Sequence, residues 1–480
     1  MAVLENLQPK EVFNFFEEIC NIPHGSGNLQ QISDYLVKFA KDRNLDVIQD
    51  EELNVIIKKP GTAGYEDREP IILQGHMDMV AVKDPDVNKD MTKEGLDVET
   101  DGKFVWAKGT SLGGDDGIAV AYCLALLDSD TIPHPPLEVV ITTNEETGMD
   151  GARAIDLSSL KGKKLLNMDN EEEGVLLVSC AGGARFHSNI KVSRKEMTGE
   201  AYEVAIGGLL GGHSGEMIKK ERGNANYILA RTLMNVADTV KFGVVTMEGG
   251  VADNAIPSLA KATVILDNAA DKAAFDAAIA KVEKEIHEEL EVKDPGFKIE
   301  TKALGNKTEQ VVDEASFKKM VGLTISLPNG VQANSASIEG LVETSLNLGI
   351  MKLTADELQL EYSVRSSVEQ SKELLLKKLE LITEAFGGYH STNSSYPGWA
   401  YKEDSELRKH MVAVYKELNG VEPQVVAIHA GVECGLFSEK IEGLDCVSIG
   451  PDMEAIHSTG ERLSVESTAK TWEFVKAILK

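Results

Sequence analysis

The chain has 480 residues, 42% of them hydrophobic and 26% charged, which is ample for two domains with a large core and ordinary for a soluble globular protein. Its net charge of −29 repels phosphate backbones and excludes nucleic acid as a partner; the charge itself reads as solubility. No apolar run approaches the ~20 residues of a membrane span, and the amino-terminal segment has no basic region followed by an apolar core. The five cysteines (Cys20, Cys123, Cys180, Cys434, Cys446) never fall in CxxC spacing, so neither a disulfide framework nor a thiolate zinc site is expected. The expected location is cytoplasmic, with no membrane partner.

In chain order, a helix is predicted over 10–20 and a second over 28–43, followed by strands near 46–58, 71–75 and 137–143. Between the last two, GGDDGIAVAYCLALLDS opens as a Gly-rich turn and continues as a helix of small residues. Strands follow at 164–168 and 174–179, completing an α/β pattern with a central, largely parallel sheet. The middle, 187–390, differs. It carries a weak internal repeat, from Asn254 and again from Asn347, in which an apolar strand, a polar turn and a long amphipathic helix succeed one another. Each is preceded by a helix and a strand, near 223–247 and 314–326. Two α+β units of roughly 100 residues account for this; chance likeness of two common strand–helix units is the alternative. From about 391 the α/β pattern returns, with a helix at 404–418, the strand-like QVVAIH, the segments GVECGLF and LDCVSIGP, and a last helix at 464–479. Residues 1–186 plus 391–480 are therefore expected to form one domain, with 187–390 inserted into it.

Several apolar runs end abruptly in metal-type ligands. IILQGHMDMV ends in His76 and Asp78, VVITTNEETG in Glu145 and Glu146, and KLLNMD in Asp169; Asp115 lies in GTSLGGDDG and His457 in AIHSTGE. Carboxyl ends of strands are where open α/β sheets place their sites. Imidazole plus carboxylate without thiolate suits Zn²⁺, with Co²⁺ or Mn²⁺ as substitutes. Two metals need a shared ligand, which a carboxylate provides. Asp78, two residues after His76, is suited to orient the imidazole. Adjacent residues at a strand end point to different sides, so one of Glu145 and Glu146 is free to act as a general base. Alone, an HxD on a strand is more often structural, and an EE pair is usually a solvated surface. The joint pattern is the signal.

The ordered segments GHMDMV, GTSLGGDDGIAVA, TTNEETGMDGA, NMDNEEEG and IHSTGERLSVES resemble the motifs of the M20 family of di-zinc metallopeptidases, within it the aminoacyl-histidine (Xaa-His) dipeptidase branch. The resemblance implies that Asp115 bridges two zinc ions, with a cis Asp115–Asp116 peptide. It implies that His76 and Asp169 complete one metal, Glu146 and His457 the other, that Asp78 orients His76, and that Glu145 is the general base for a zinc-activated water. It makes 187–390 a lid. There GGHSGEMIKKERGNANYILA points to His213 as a donor to the oxyanion, and GGVADNAIPS to Asn254 as a substrate contact. SVRSS offers Arg365, an internal-strand arginine suited to a bidentate grip on a carboxylate; its bland reading is a strand-face charge. His24, His134, His187, His287, His390 and His410 read as surface or core histidines. His429 in AIHAGVECG is set apart as a further candidate for substrate contact.

The expected fold is thus α/β, a doubly wound mixed-sheet catalytic domain with an inserted α+β lid of two ferredoxin-like units. The expected activity is hydrolysis of dipeptides, of Xaa-His type, with a broad-specificity dipeptidase and an N-acyl-amino-acid deacylase as alternatives. A metal-binding protein without activity would lack the base or a ligand, and neither is missing. A homodimer and a monomer both stay open, because a doubled lid can replace within one chain a contact that others make by dimerising.

Overall fold

The runs IILQGH and LEVVIT are buried at every residue, and KLLN at all but its first, the pattern of strands covered on both faces. In the computed structural model, which describes residues 3–480, they form the strands Ile71–His76, Leu137–Thr142 and Lys164–Asn167 at the centre of an eight-stranded sheet. From one edge the order is Asp46–Gln49, Val55–Lys59, Leu137–Thr142, Ile71–His76, Lys164–Asn167, Asp445–Ser448, Val175–Cys180 and Gln424–Ile428. The four strands from Leu137–Thr142 through Asp445–Ser448 pair in parallel, whereas Val55–Lys59 and Val175–Cys180 join them antiparallel on either side, as does Asp46–Gln49 with Val55–Lys59. The sheet is therefore mixed. The register aligns His76 with Thr142, and Gln74 with Asn167.

The helix Gly114–Asp128 is not amphipathic: residues 114–127 are all buried. Its small residues permit this. A side chain at Gly117 would already touch the Phe16 ring of the helix Lys10–Cys20, at 3.4 Å. Tyr122 stacks on Trp472 of the last helix, Val465–Ile478. This first unit comprises the chain up to Ser179, Tyr401–Ala427 and Glu433–Lys480. Among the described residues no helix is long and apolar enough to cross a membrane.

The second unit, Cys180–Ala400 with Ile428–Val432, is built on a nine-stranded antiparallel sheet. Its ends lie a few residues from 187 and 390, because Gly182–Lys191 and Tyr389–Tyr396 pair with one another in this sheet. The repeat resolves into two halves with one chain order, β-α-β-β-α-β. In the first, the strands Arg194–Gly207, Phe242–Gly249, Ala260–Leu266 and Lys298–Val312 carry the helices Ala225–Ala237 and Lys272–Leu290. In the second, Gly182–Lys191, Val342–Leu353, Glu357–Ser366 and Tyr389–Tyr396 carry Glu314–Ser326 and Glu369–Ala385. Numbering the strands by chain order within each half, both have the spatial order 4-1-3-2.

The halves are nested rather than tandem: the whole first half is inserted after the first strand of the second. They are also not separate, since Glu248 and Gly249 pair with Lys352 and Met351. One apolar core, with Val204, Leu229, Phe275, Met320, Leu348 and Leu375, runs under both.

Candidate active site

The register of the first sheet brings the ligand-type residues together. His76 ends its strand opposite Thr142 on one neighbour. Asp169 lies two residues beyond Asn167 on the other neighbour, and Gln74 is the partner of Asn167. Asp169 is thus level with His76, and the loop after Thr142 carries Glu145 and Glu146 to the same edge. Asp115 lies two residues after Gly113, whose φ of +70° favours glycine. A side chain there would also meet Met79 Sδ at 2.9 Å. The Asp115–Asp116 peptide is cis. His457 comes from the loop between the short strands Met453–Glu454 and Arg462–Ser464.

Asp115 lies between two imidazoles. Its Oδ1 is 3.1 Å from His76 Nε2, which also stands 3.5 Å from Asp169 Oδ1. Its Oδ2 is 3.1 Å from His457 Nε2, which stands 2.9 Å from Glu146 Oε1. A ring nitrogen carries at most one proton, so each Nε2 can offer its two carboxylates only a single shared N–H. Such convergence fits ligands disposed about a cation. Among the described residues, two sets of atoms lie close enough to hold a metal, His76 with Asp115 and Glu146, and His76 with Asp116 and Asp169.

The electrostatics point the same way. Burial drives Asp169 up to about 8 and raises Glu145 and Asp116 well above the carboxylate range, with neighbouring carboxylates adding to it. Burial alone would lower His76, but Asp169, Asp115 and Asp78 hold it well above its ordinary value. Hydrogen bonds to Asp115 and Glu146 push His457 up to about 10. After burial, the influences on these groups are the two histidines and the other acids, and the acids outnumber the histidines, an excess of negative charge that divalent cations would offset.

Supporting contacts fix this arrangement. Asp78 Oδ1 accepts the main-chain N–H of Glu145 at 3.0 Å, and Oδ2 the hydroxyl of Ser26 at 2.8 Å. His76 Nδ1 is 3.0 Å from the Asp78 carbonyl and 3.4 Å from its carboxylate. Three further residues lie outside the set read from sequence. Asp116 Oδ2 accepts the N–H of His76 at 3.1 Å, while its Oδ1 is buried without a partner. Glu433 Oε2 accepts from Gln74 and Thr142, at 2.5 and 2.8 Å, linking two ligand-bearing strands from below. Glu461, 3% exposed, accepts three successive main-chain N–H groups, from Leu112, Gly113 and Gly114, at 2.7, 3.0 and 2.8 Å. Its place four residues after His457, in IHSTGE, is the only sequence signal for it. Glu461→Gln removes acceptor capacity from the loop that aims Asp115. It is expected to weaken metal binding by ~10–100-fold while the fold persists. A metal titration with circular dichroism checks this, and unchanged affinity would rule the role out.

In the second unit, Gly212–His213 pairs with Ala255–Ile256, and Ser214 N–H donates to the Asn254 carbonyl at 2.7 Å, so His213 and Asn254 are neighbours. Burial lowers the His213 pKa, and the Arg365 charge lowers it further. Arg365, on Glu357–Ser366, is nearly buried, and its Nε has no partner. His429 Nε2 stands 2.7 Å from Ser345 Oγ.

The model of the family described as peptidase family M20/M25/M40 matches residues 72–480. The chain is 36% identical over 483 residues to the cytosol non-specific dipeptidase of Escherichia coli, covering 100% of this chain and 99% of that protein. The crystal structure of aminoacylhistidine dipeptidase from Vibrio alginolyticus matches with a TM-score of 0.94 at 34% identity, over 99% of this chain and 97% of that one. Aminopeptidase PepT from Bacillus cereus shares the fold, with a TM-score of 0.56 at 17% identity over 98% of each chain.

Proposed function

The chain belongs to peptidase family M20/M25/M40, and from that premise we propose that it is a metal-dependent dipeptidase of the cytosol. The observation that carries the reading is Asp115, set between the His76–Asp169 and His457–Glu146 pairs. The full-length likeness to two proteins named as dipeptidases supports this substrate class over N-acyl amino acids. The donor set of imidazole and carboxylate suits two zinc ions, with Co²⁺ or Mn²⁺ as substitutes. When bound, such metals supply Lewis acidity toward a carbonyl and acidity to a water.

The protein's own residues supply the rest. Asp115 would hold both cations and offset their repulsion. His76 and Asp169 would serve one of them, and Glu146 and His457 the other. Asp78 orients His76 and, through the Glu145 N–H, fixes the loop bearing the base. Glu145 takes the proton of the attacking water and delivers it to the leaving amine. Burial, with the neighbouring acids adding to it, raises its pKa well above the ordinary carboxylate value, the direction that suits a group that must donate a proton as well as accept one.

His213, Asn254 and Arg365 are proposed as substrate-binding residues, with His213 donating to the oxyanion and Arg365 gripping the terminal carboxylate. Arg365→Ala should then raise KM by about tenfold or more with a smaller effect on kcat, because the grip is made before the transition state. His213→Ala should lower kcat and spare metal content. Steady-state kinetics separate the two, and an unchanged KM in the Arg365 variant would remove it from this role.

The function itself is tested by a hydrolysis panel on the metal-loaded protein, comparing Xaa-His dipeptides, other dipeptides, tripeptides and N-acetyl amino acids. Turnover confined to dipeptides supports the reading, with preference for Xaa-His deciding between the narrow and broad forms. Turnover of N-acetyl amino acids alone would overturn it.

A further inference from the structure

Arg365 belongs to a row of residues directly opposed across four neighbouring strands: Ser345, Arg365, Gly183 and Tyr396. Opposed residues project from one face of a sheet. Gly183 contributes no side chain to the row, so Arg365 and Tyr396 meet across it, with Arg365 Nη1 donating to the Tyr396 hydroxyl at 3.3 Å. A Cβ at position 183 would lie 2.5 Å from that oxygen.

Tyr396 is brought to this register by a bulge. From Asn393 to Tyr396 is three steps, against two from Arg185 to Gly183, and Ser394 within the bulge has φ +49°. Bulges re-aim side chains in this way. On another side of the ring, a Cβ at Gly431 would lie 2.6 Å from it. The main chain is tied as well. The Tyr396 carbonyl accepts from Lys372 Nζ at 2.6 Å, and this lysine side chain, 1% exposed, is paired with Glu369. A buried lysine is costly unless it is partnered. A glycine gap, a bulge, a second glycine and a buried lysine thus converge on one phenol.

With Nη1 held by the phenol, the guanidinium keeps its Nε–Nη2 edge, and Nε is buried without a partner. That edge offers two parallel N–H groups, the geometry that matches a carboxylate. Beside it, burial and the Arg365 charge lower His429 to about 3, so this imidazole is neutral and adds no competing charge.

We propose that Tyr396 is a positioning residue that sets Arg365 to read a substrate's terminal carboxylate, with Gly183 as the gap through which it acts. The identity of the substrate rests on the dipeptidase reading; the geometry of the row does not.

The test is Tyr396→Phe, which keeps the ring between its two glycines and removes only the hydroxyl. On the metal-loaded, full-length protein, KM for alanyl-alanine should rise about tenfold, as loss of a hydrogen bond to a charged group implies. Its kcat should change less than about twofold, and KM for alanyl-alaninamide should not move. The preference for free acid over amide then falls about tenfold, a change that general destabilisation would not give. Calorimetric binding of L-alanine and L-alaninamide to the same protein gives a readout independent of turnover, with only L-alanine weakened. Gly183→Ala should shift the same ratio by displacing the phenol. An unchanged acid-to-amide ratio in Tyr396→Phe, or a loss shared equally by both ligands, overturns the proposal. If the unmodified protein turns over no dipeptide, the dipeptidase reading fails on its own and the binding measurements still decide the role of Tyr396.

Discussion

Glu145→Gln is expected to retain its metal and lose turnover by ~10²–10⁴-fold, more if the same group also protonates the leaving amine. The expectation rests on where the residue sits. Glu146 faces His457 Nε2 at 2.9 Å, whereas Glu145 belongs to neither group of atoms close enough to hold a metal. Its main-chain N–H is bound to Asp78, so the substitution leaves the loop tethered. The change swaps one oxygen for an amide nitrogen of nearly equal size and removes only the capacity to take up a proton. Metal analysis and single-turnover kinetics check it together. Retained activity, or loss of a metal equivalent, would take Glu145 out of the base role.

Asp115→Ala should deplete metal more severely than removal of His76, Glu146, Asp169 or His457 singly. Asp169 and Glu146 each face one imidazole, whereas the two oxygens of Asp115 face both, at 3.1 Å. Two divalent cations ~3.5–4 Å apart repel strongly, and the shared carboxylate is what offsets that repulsion. The variant is therefore expected to lose high affinity at both positions, with activity lost in parallel. Metal content after gel filtration, by elemental analysis, is the readout. Two equivalents retained would show that the bridge lies elsewhere, with Asp116 the neighbour to examine next.

That His76, Glu146 and Asp169 meet was legible in the sequence for a simple reason. Each ends or closely follows an apolar run, and adjacent parallel strands carry such ends to one edge. Asp115 was legible through its glycines, which mark a turn opening a helix. Glu461 and Glu433 were not, because nothing local distinguishes them from solvated acids. Their partners Leu112 and Gln74 lie 349 and 359 residues away. Asp116 was passed over beside Asp115, since the sequence does not show which of two adjacent carboxylates turns toward His76 N–H. In the second unit the strand–helix repeat from Asn254 and Asn347 was visible, but the nesting was not. The first strand of the outer half, Gly182–Lys191, stands apart from the rest of its own half, beyond the whole inner half. Tyr396 was invisible for a related reason. Its partner is set by register across two strands and by a bulge at Ser394, and alternation of residue types carries no trace of either.

The account stands most directly on the dependence of dipeptide hydrolysis on metal stoichiometry. The protein is stripped with a chelator, and zinc is added back in steps while alanyl-histidine turnover and bound metal are followed together. The account predicts no turnover in the stripped protein and recovery that is complete by two equivalents. Full turnover by protein shown to hold no metal would contradict it.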